Sequence, residues 1–207
     1  VVTVAMGFPR EKSLNVRIDD FGAALQMTRH LLELGHRNIG FIKGHPNHIA
    51  SHERQRGFAE ALREYGLDPD QAPQEQGYFT FRSGLIAAER LLARAEPPTA
   101  IFASNDDMAA AAVSVAHRKG LAVPGDLSVA GYDDTLIATT IWPELTTVKQ
   151  PISDMAEAAL DLLLAHLRAR RSGASPGSAE RVLEHELIVR ESTGTNRAAP
   201  AARPARA

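Results

Sequence analysis

The chain has 207 residues, 44% of them hydrophobic, a formal net charge of -2 and no cysteine. That length can bury a substantial core as one large domain or two small lobes. The near-neutral charge leaves no basic footprint for nucleic acid within these residues. Lack of cysteine excludes disulfides and thiolate metal sites and fits a reducing, cytoplasmic compartment, and no apolar run is long enough to span a bilayer. The chain opens on VVTVAM, without a starting Met or a charged leader, so it reads as cut mid-domain and without a secretory signal.

In chain order, Val1 to Ala5 reads as a strand and FPREKSLN as a loop. Asp19 or Asp20 caps a helix from Phe21 to Leu34, with Leu25, Thr28, Leu31 and Leu32 at helical spacing and Gly35 stopping it. Ile39 to Ile42 predicts the next strand. A loop rich in His, Pro and Asn leads to a helix from Ser51 to Tyr65, closed by Gly66 and followed by the breaker-rich LDPDQAPQ. Ser83 is expected to cap a helix through GLIAAERLLARA, and Pro97-Pro98 separates it from a strand at Thr99 to Ala103. Asp106 stands where an N-cap belongs for DMAAAAVSVAHRK, which ends at Gly120, and Leu127 to Ala130 is another strand. Leu145 to Lys149 is a short extended run stopped by Pro151, and Ser153 to Arg170 a long helix. RSGASPGSAE reads as a flexible break, RVLEHELIVR as one final edge strand, and TNRAAPAARPARA as a disordered tail. The alternation of strand and helix predicts an α/β protein with a parallel sheet wrapped by helices.

Three apolar runs break off into polar clusters, in IGFIKGHPNH, TAIFASNDDM and LSVAGYDDT. Ligands of parallel sheets collect outside the carboxyl ends of the strands, which makes Asn105, Asp106, Asp133 and Asp134 candidates for one site. By residue type alone Asp106 reads more readily as a helix cap, and Asp133-Asp134 could be a turn; their place at the strand ends favours a binding role. Arg54, in the first turn or so of its helix, opposes the macrodipole, so a carboxylate or ligand hydroxyls should hold it there. With no Gly-rich phosphate loop and no cysteine nucleophile, the set points to binding an uncharged, hydroxyl-rich ligand. His45, His48 and His52 are spaced too irregularly for a closed zinc set, and nothing isolates one of Asp106 and Asp133 as a glycosidase acid. Phe79 and Trp142 offer ring faces suited to the C–H face of a sugar, or to core packing.

The motifs GHRNIGFIKG, RQRGFAEAL, GYFTFRSG, PPTAIFASNDDMAA, GLAVPGDLSVAGYDD, WPELTTVKQP and LIVREST follow in unbroken order. From about Asp19 to Thr193 the chain resembles the effector-binding domain of the lactose/galactose-repressor type of transcription regulator. The resemblance implies a periplasmic-binding-protein-like fold: two lobes, each a parallel sheet wrapped by helices, with a ligand cleft between them and the first lobe incomplete here. Residues 1–36 would be the remainder of the first lobe and 37–149 the second. Residues 150–175 would form a helix returning to the first lobe, 176–193 the final strand of the second, and 194–207 a disordered tail. Crossings are implied near Gly35 to Asn38, after Val148, and either upstream or near the RSGASPGSAE break. Matched motif to motif, Arg54 falls on the effector-contacting arginine, Phe79 on the ring-stacking aromatic, Asn105 on the cleft amide, Asp133 on the cleft aspartate and Gln150 on a glutamine of sugar-responsive members. Trp142 would close on the effector with Phe79, and His48 takes a position that varies with effector. Purine-responsive relatives carry Gly where Asn105 stands, which implies a sugar. No metal or cofactor is implied. The expected partners are a sugar effector, operator DNA through an N-terminal helix-turn-helix headpiece absent from this chain, and a second copy in a homodimer. The helix from Phe21 to Leu34 is the expected subunit contact, since Leu25, Met27, Leu31 and Leu34 spread more apolar surface around it than one sheet face needs. The rival readings are a periplasmic sugar-binding protein of a transporter and a sugar hydrolase on the same fold.

Overall fold

The computed structural model describes residues 2–4, 14–172 and 177–196. Its elements run β1 (Val2–Val4), β2 (Leu14–Ile18), α1 (Asp20–Glu33), β3 (Ile39–Lys43), α2 (Ile49–Glu64), β4 (Gln74–Gln76), α3 (Phe81–Leu91) and β5 (Ala100–Ala103). They continue α4 (Asp106–Arg118), β6 (Ser128–Ala130), α5 (Ile137–Thr140), β7 (Thr147–Lys149), α6 (Ile152–Arg171), β8 (Ala179–Leu183) and β9 (Glu186–Ile188).

The main sheet is parallel with strand order β4-β3-β5-β6. Its inner strands are apolar on both faces, as a sheet covered by helices on two sides requires. Side chains alternate across it: Ile39, Phe41, Ala100, Phe102 and Ala130 pack toward α1 and α2, while Ile42, Ile101, Ala103 and Val129 pack toward α3 and α4. α1 and α2 lie close because Gly57 has no Cβ, which would run into the backbone of Phe21 and Leu25. The antiparallel pair β7-β9 continues this sheet through bridges from Ala130 to Thr146 and from Asp133 to Lys149. A smaller parallel sheet, β1-β2-β8, is covered by α6. The chain passes from the smaller sheet to the larger between Ile18 and Asp20, back between Lys149 and Ile152, and over again between Leu183 and Glu186.

Several expectations are corrected. The first crossing lies before α1, not at Gly35 to Asn38, because α1 buries Ala23, Ala24, Met27 and Leu31 against α2 and the main sheet. Residues 20–36 therefore belong with the second lobe. That packing also buries Met27 and Leu31 and leaves Leu25 and Leu34 half-buried, so α1 exposes no large apolar side chain among the described residues for a subunit contact. RVLEHELIVR is two strands, not one of the second lobe, since β8 pairs in parallel with β2 and only β9 pairs with β7. Leu14 and Asn15 open β2 instead of ending a loop, and LDPDQAPQ runs into the unexpected β4. α3 is capped by Thr80 in a reciprocal box with Ser83, and α4 by Asn105, not Asp106. Thr193 to Asn196 are fastened, Gly194 N–H donating to Ser128 Oγ and Asn196 N–H to the Leu34 carbonyl; the rest of the expected disordered tail lies outside the described residues. Residues 173–176 of the RSGASPGSAE break lie outside them too.

Candidate functional site

Arg54 is the centre of the polar residues gathered beyond the carboxyl ends of β3, β5 and β6. It projects from α2 and is only 5% exposed. Nε donates to Asp20 Oδ1 at 2.8 Å and Nη1 to the Ser104 carbonyl at 2.5 Å. The guanidinium lies over the Tyr132 ring, 3.6 Å from its centroid, and Asp133 Oδ1 stands 3.8 Å from Nη1. Tyr132 Oη–H donates to the same Asp20 oxygen at 2.9 Å. Burial works against the charge on Arg54, but Tyr132, Asp20 and Asp133 outweigh it and hold the guanidinium firmly protonated. The cation that opposed its helix dipole in the sequence thus has two carboxylates and a ring to offset that cost.

Asp133 is the more open partner, its side chain 27% exposed. Gln150 Nε2 donates to its Oδ1 at 2.6 Å. Burial raises the pKa of Asp133, opposed by Arg54 and by the Gln150 hydrogen bond. Phe79, Asp133 and Asp134 all have positive φ, at 60°, 111° and 56°. Non-glycine residues reach this region at a cost of roughly 1–3 kcal/mol each, and such residues cluster where ligands are held. All three are candidates read from sequence. The turn at Asp133 is secured by its N–H to the Val148 carbonyl at 2.8 Å, and by the Asp134–Arg190 pair at 2.6 Å.

The neighbouring Asn105 and Asp106 are spent mainly on the fold. Asn105 Oδ1 accepts from Met108 N–H, and Nδ2 donates to the Phe79 carbonyl at 3.2 Å. Asn105 thereby sets the loop that presents Phe79. Asp106 is fully buried and accepts from Thr147 Oγ1 at 2.6 Å and from Thr135 N–H at 2.7 Å. Burial pushes its carboxyl up to about 6, against the pull of those hydrogen bonds. It ties the start of α4 to the turn after β6 and to β7.

Phe79 lies 5.9 Å from the Arg54 guanidinium carbon, and His48, the uncapped N-cap of α2, lies 5.6 Å from Phe79. Trp142 is not brought to the site. It is 74% exposed and stacks on His117, near the C-terminal end of α4, whereas Asn105 stands at the other end of that helix. Trp142 follows α5, in the stretch between β6 and β7. A cavity of about 650 Å³, within the range typical of ligand sites, opens between Asp133, Thr135, Gln150 and the first turn of α6. Sequence reasoning missed Asp20 as a partner of Arg54, Tyr132 as the ring beneath it, and Ser51, whose buried Oγ has no hydrogen-bond partner and lies beside Gly44 and Phe79. No group of three or more His, Cys, Asp or Glu is arranged for a metal ion among the described residues, and no helix there is long and apolar enough to cross a membrane.

A family model described as a periplasmic binding protein-like domain matches residues 28–193. The chain is 40% identical over 178 residues to the HTH-type transcriptional repressor CytR of Escherichia coli, covering 86% of this chain and 51% of CytR. Among solved structures, a complex of the transcriptional regulator CelR with cellobiose is similar with a TM-score of 0.84 at 38% identity, over 92% of this chain and 58% of that one. A LacI family transcriptional regulator from Enterococcus faecium with bound ribose is similar with a TM-score of 0.85 at 29% identity, over 95% of this chain and 71% of that one. The chain spans about half the length of the curated relatives it matches.

Proposed function

Because the chain belongs to the periplasmic binding protein-like domain family, we propose that it is the effector-sensing part of a sugar-responsive transcriptional regulator. The observation that carries this reading is the Arg54–Asp133–Gln150 set at the strand ends, where backbone strain is spent on presenting Asp133. A fork of donors beside a half-open carboxylate and a carboxamide suits vicinal hydroxyls. Phe79 supplies the ring face. The relatives support sensing over delivery to a transporter or sugar hydrolysis, since they are transcriptional regulators. Cellobiose and ribose in the similar structures support a neutral sugar.

In this reading the protein works in the cytoplasm as a homodimer and reaches operator DNA through a helix-turn-helix headpiece. The effector bridges Asp133 on one sheet to groups of the other lobe and shifts the population toward a closed form. Its influence leaves the cleft through Asp133, whose N–H is bonded to β7, and through Asp134, paired with Arg190 just after β9. The dimer contact we assign is the surface around Trp142 and Leu136, which are 74% and 79% exposed. Trp142 there lines a recess with Ala110, Val113 and Ile141, rimmed by Ser114, His117 and Arg118.

Calorimetric screening of the intact protein against neutral sugars, sugar phosphates and nucleobases, paired with an operator-binding assay, tests the reading. A neutral sugar should bind and change operator affinity. Tight binding of a purine with no response to any sugar refutes it.

A further inference from the structure

Beyond Phe79 the rings continue outward. His48 lies 5.6 Å from Phe79, His45 5.0 Å from His48, and Tyr78 5.7 Å from His45, the last pair meeting edge to face. Each spacing falls in the range at which aromatic rings contact. The row starts at the buried Arg54 and the half-buried Phe79 and ends in solvent at Tyr78, which is 50% exposed. Phe, Trp and Tyr make up only 5% of the chain, and two of them, Phe79 and Tyr78, bracket two histidines in a row of four rings running from a buried polar cluster to solvent. The inner end of the row holds the unpartnered Ser51 hydroxyl, 4% exposed and next to Phe79.

Resting on the effector reading above, we propose that Tyr78, His45 and His48 form a second subsite, for the second ring of a disaccharide whose first ring is held by Arg54, Asp133 and Gln150. A single pyranose is covered by one aromatic face; the further rings have use only for a ligand that extends toward solvent. The histidine edges carry nitrogen donors and acceptors beside apolar faces, which matches a second ring bearing both C–H faces and hydroxyls better than a bare aryl group. His52 fixes the loop that carries two of these rings, its Nε2 bonded to the Pro46 carbonyl at 2.8 Å.

The test is calorimetric titration of the intact protein with glucose, galactose and ribose, with cellobiose, lactose and maltose, and with cytidine and adenosine. One disaccharide should bind about tenfold or more tighter than its own monosaccharide units. Tyr78→Ala and His45→Ala, separately, should each remove most of that gain while leaving monosaccharide affinity unchanged. Tyr78 is exposed, and its variant should fold; circular dichroism checks both. A disaccharide preference untouched by either variant, or monosaccharides binding as tightly as any disaccharide, overturns the subsite and leaves the effector reading intact. A nucleoside binding more tightly than every disaccharide overturns the second-sugar assignment. Binding of no sugar at all overturns the effector reading itself.

Discussion

On the proposed function Arg54 combines a structural role with an effector-binding one, and a single deletion cannot separate them. Its fork joins Asp20, the Ser104 carbonyl and Asp133, so Arg54→Ala strands a buried Asp20 and should cost about 3–5 kcal/mol in chemical denaturation. Arg54→Lys restores the charge without the fork and should recover only part of that loss. Asp133→Asn is the cleaner probe of binding, because Asp20 keeps Arg54 paired. It should lower effector affinity about tenfold in calorimetry with little change in stability. An unchanged affinity would remove Asp133 from the effector contacts. Asp106 carries a pH signature instead. Its folded carboxyl is pushed up to about 6 from an ordinary 3.8, so its contribution to stability is fullest below about pH 4 and is lost as pH rises through about 6. The loss is on the order of 3 kcal/mol. Denaturation of the wild type and Asp106→Asn at about pH 4.5 and about pH 7 should show the wild type losing ground to the variant at the higher pH, and parallel curves would refute this.

Much of the candidate site could be read in the sequence because its residues sit at strand ends that announce themselves as apolar runs. Arg54 stood out through a local conflict with its helix. Its partners did not: Asp20 lies 34 residues away and Tyr132 bonds to Asp20 across 112, and no periodicity signals such pairs. At the scale of elements the same limit applies. β3, β5 and β6 are buried on both faces and read clearly, whereas β4 and β8 are edge strands of mixed polarity, QEQ and AERVL, specified by the strand beside them. A glycine within the IGFIKG motif makes an element-level prediction. A Cβ on Gly44 would run into the Phe79 ring and Ser51 Oγ, so Gly44→Ala should cost roughly 1–3 kcal/mol and displace Phe79, weakening effector binding. Phe79→Leu in the same chain should relieve much of the stability cost, a coupling that a double-mutant cycle reads directly. Additive costs would mean that the glycine serves something other than the ring.

For the whole molecule, the decisive change between sequence and structure is where its apolar surface ends up. α1 looked like a subunit contact because apolar residues surround it, yet α2, the main sheet and the C-terminal residues cover it: His30 meets Thr193 and the Leu34 carbonyl accepts from Asn196. Trp142, read as a cleft residue, lies outside with its ring on His117. A large exposed aromatic beside a partly apolar recess is the kind of anchor that carries interface energy, at about 2 kcal/mol or more when truncated. If the proposed dimer contact is right, Trp142→Glu should weaken the dimer of the intact protein by about thirtyfold or more, measured by sedimentation equilibrium at low micromolar concentration. Effector affinity should persist, because Trp142 lies at the other end of α4 from Asn105, while on the proposed function the response of operator binding to effector should weaken with the dimer. A dimer of unchanged strength would move the contact away from Trp142, and the exposed row Leu160, Leu164 and Leu167 on α6 would then be the next surface to alter.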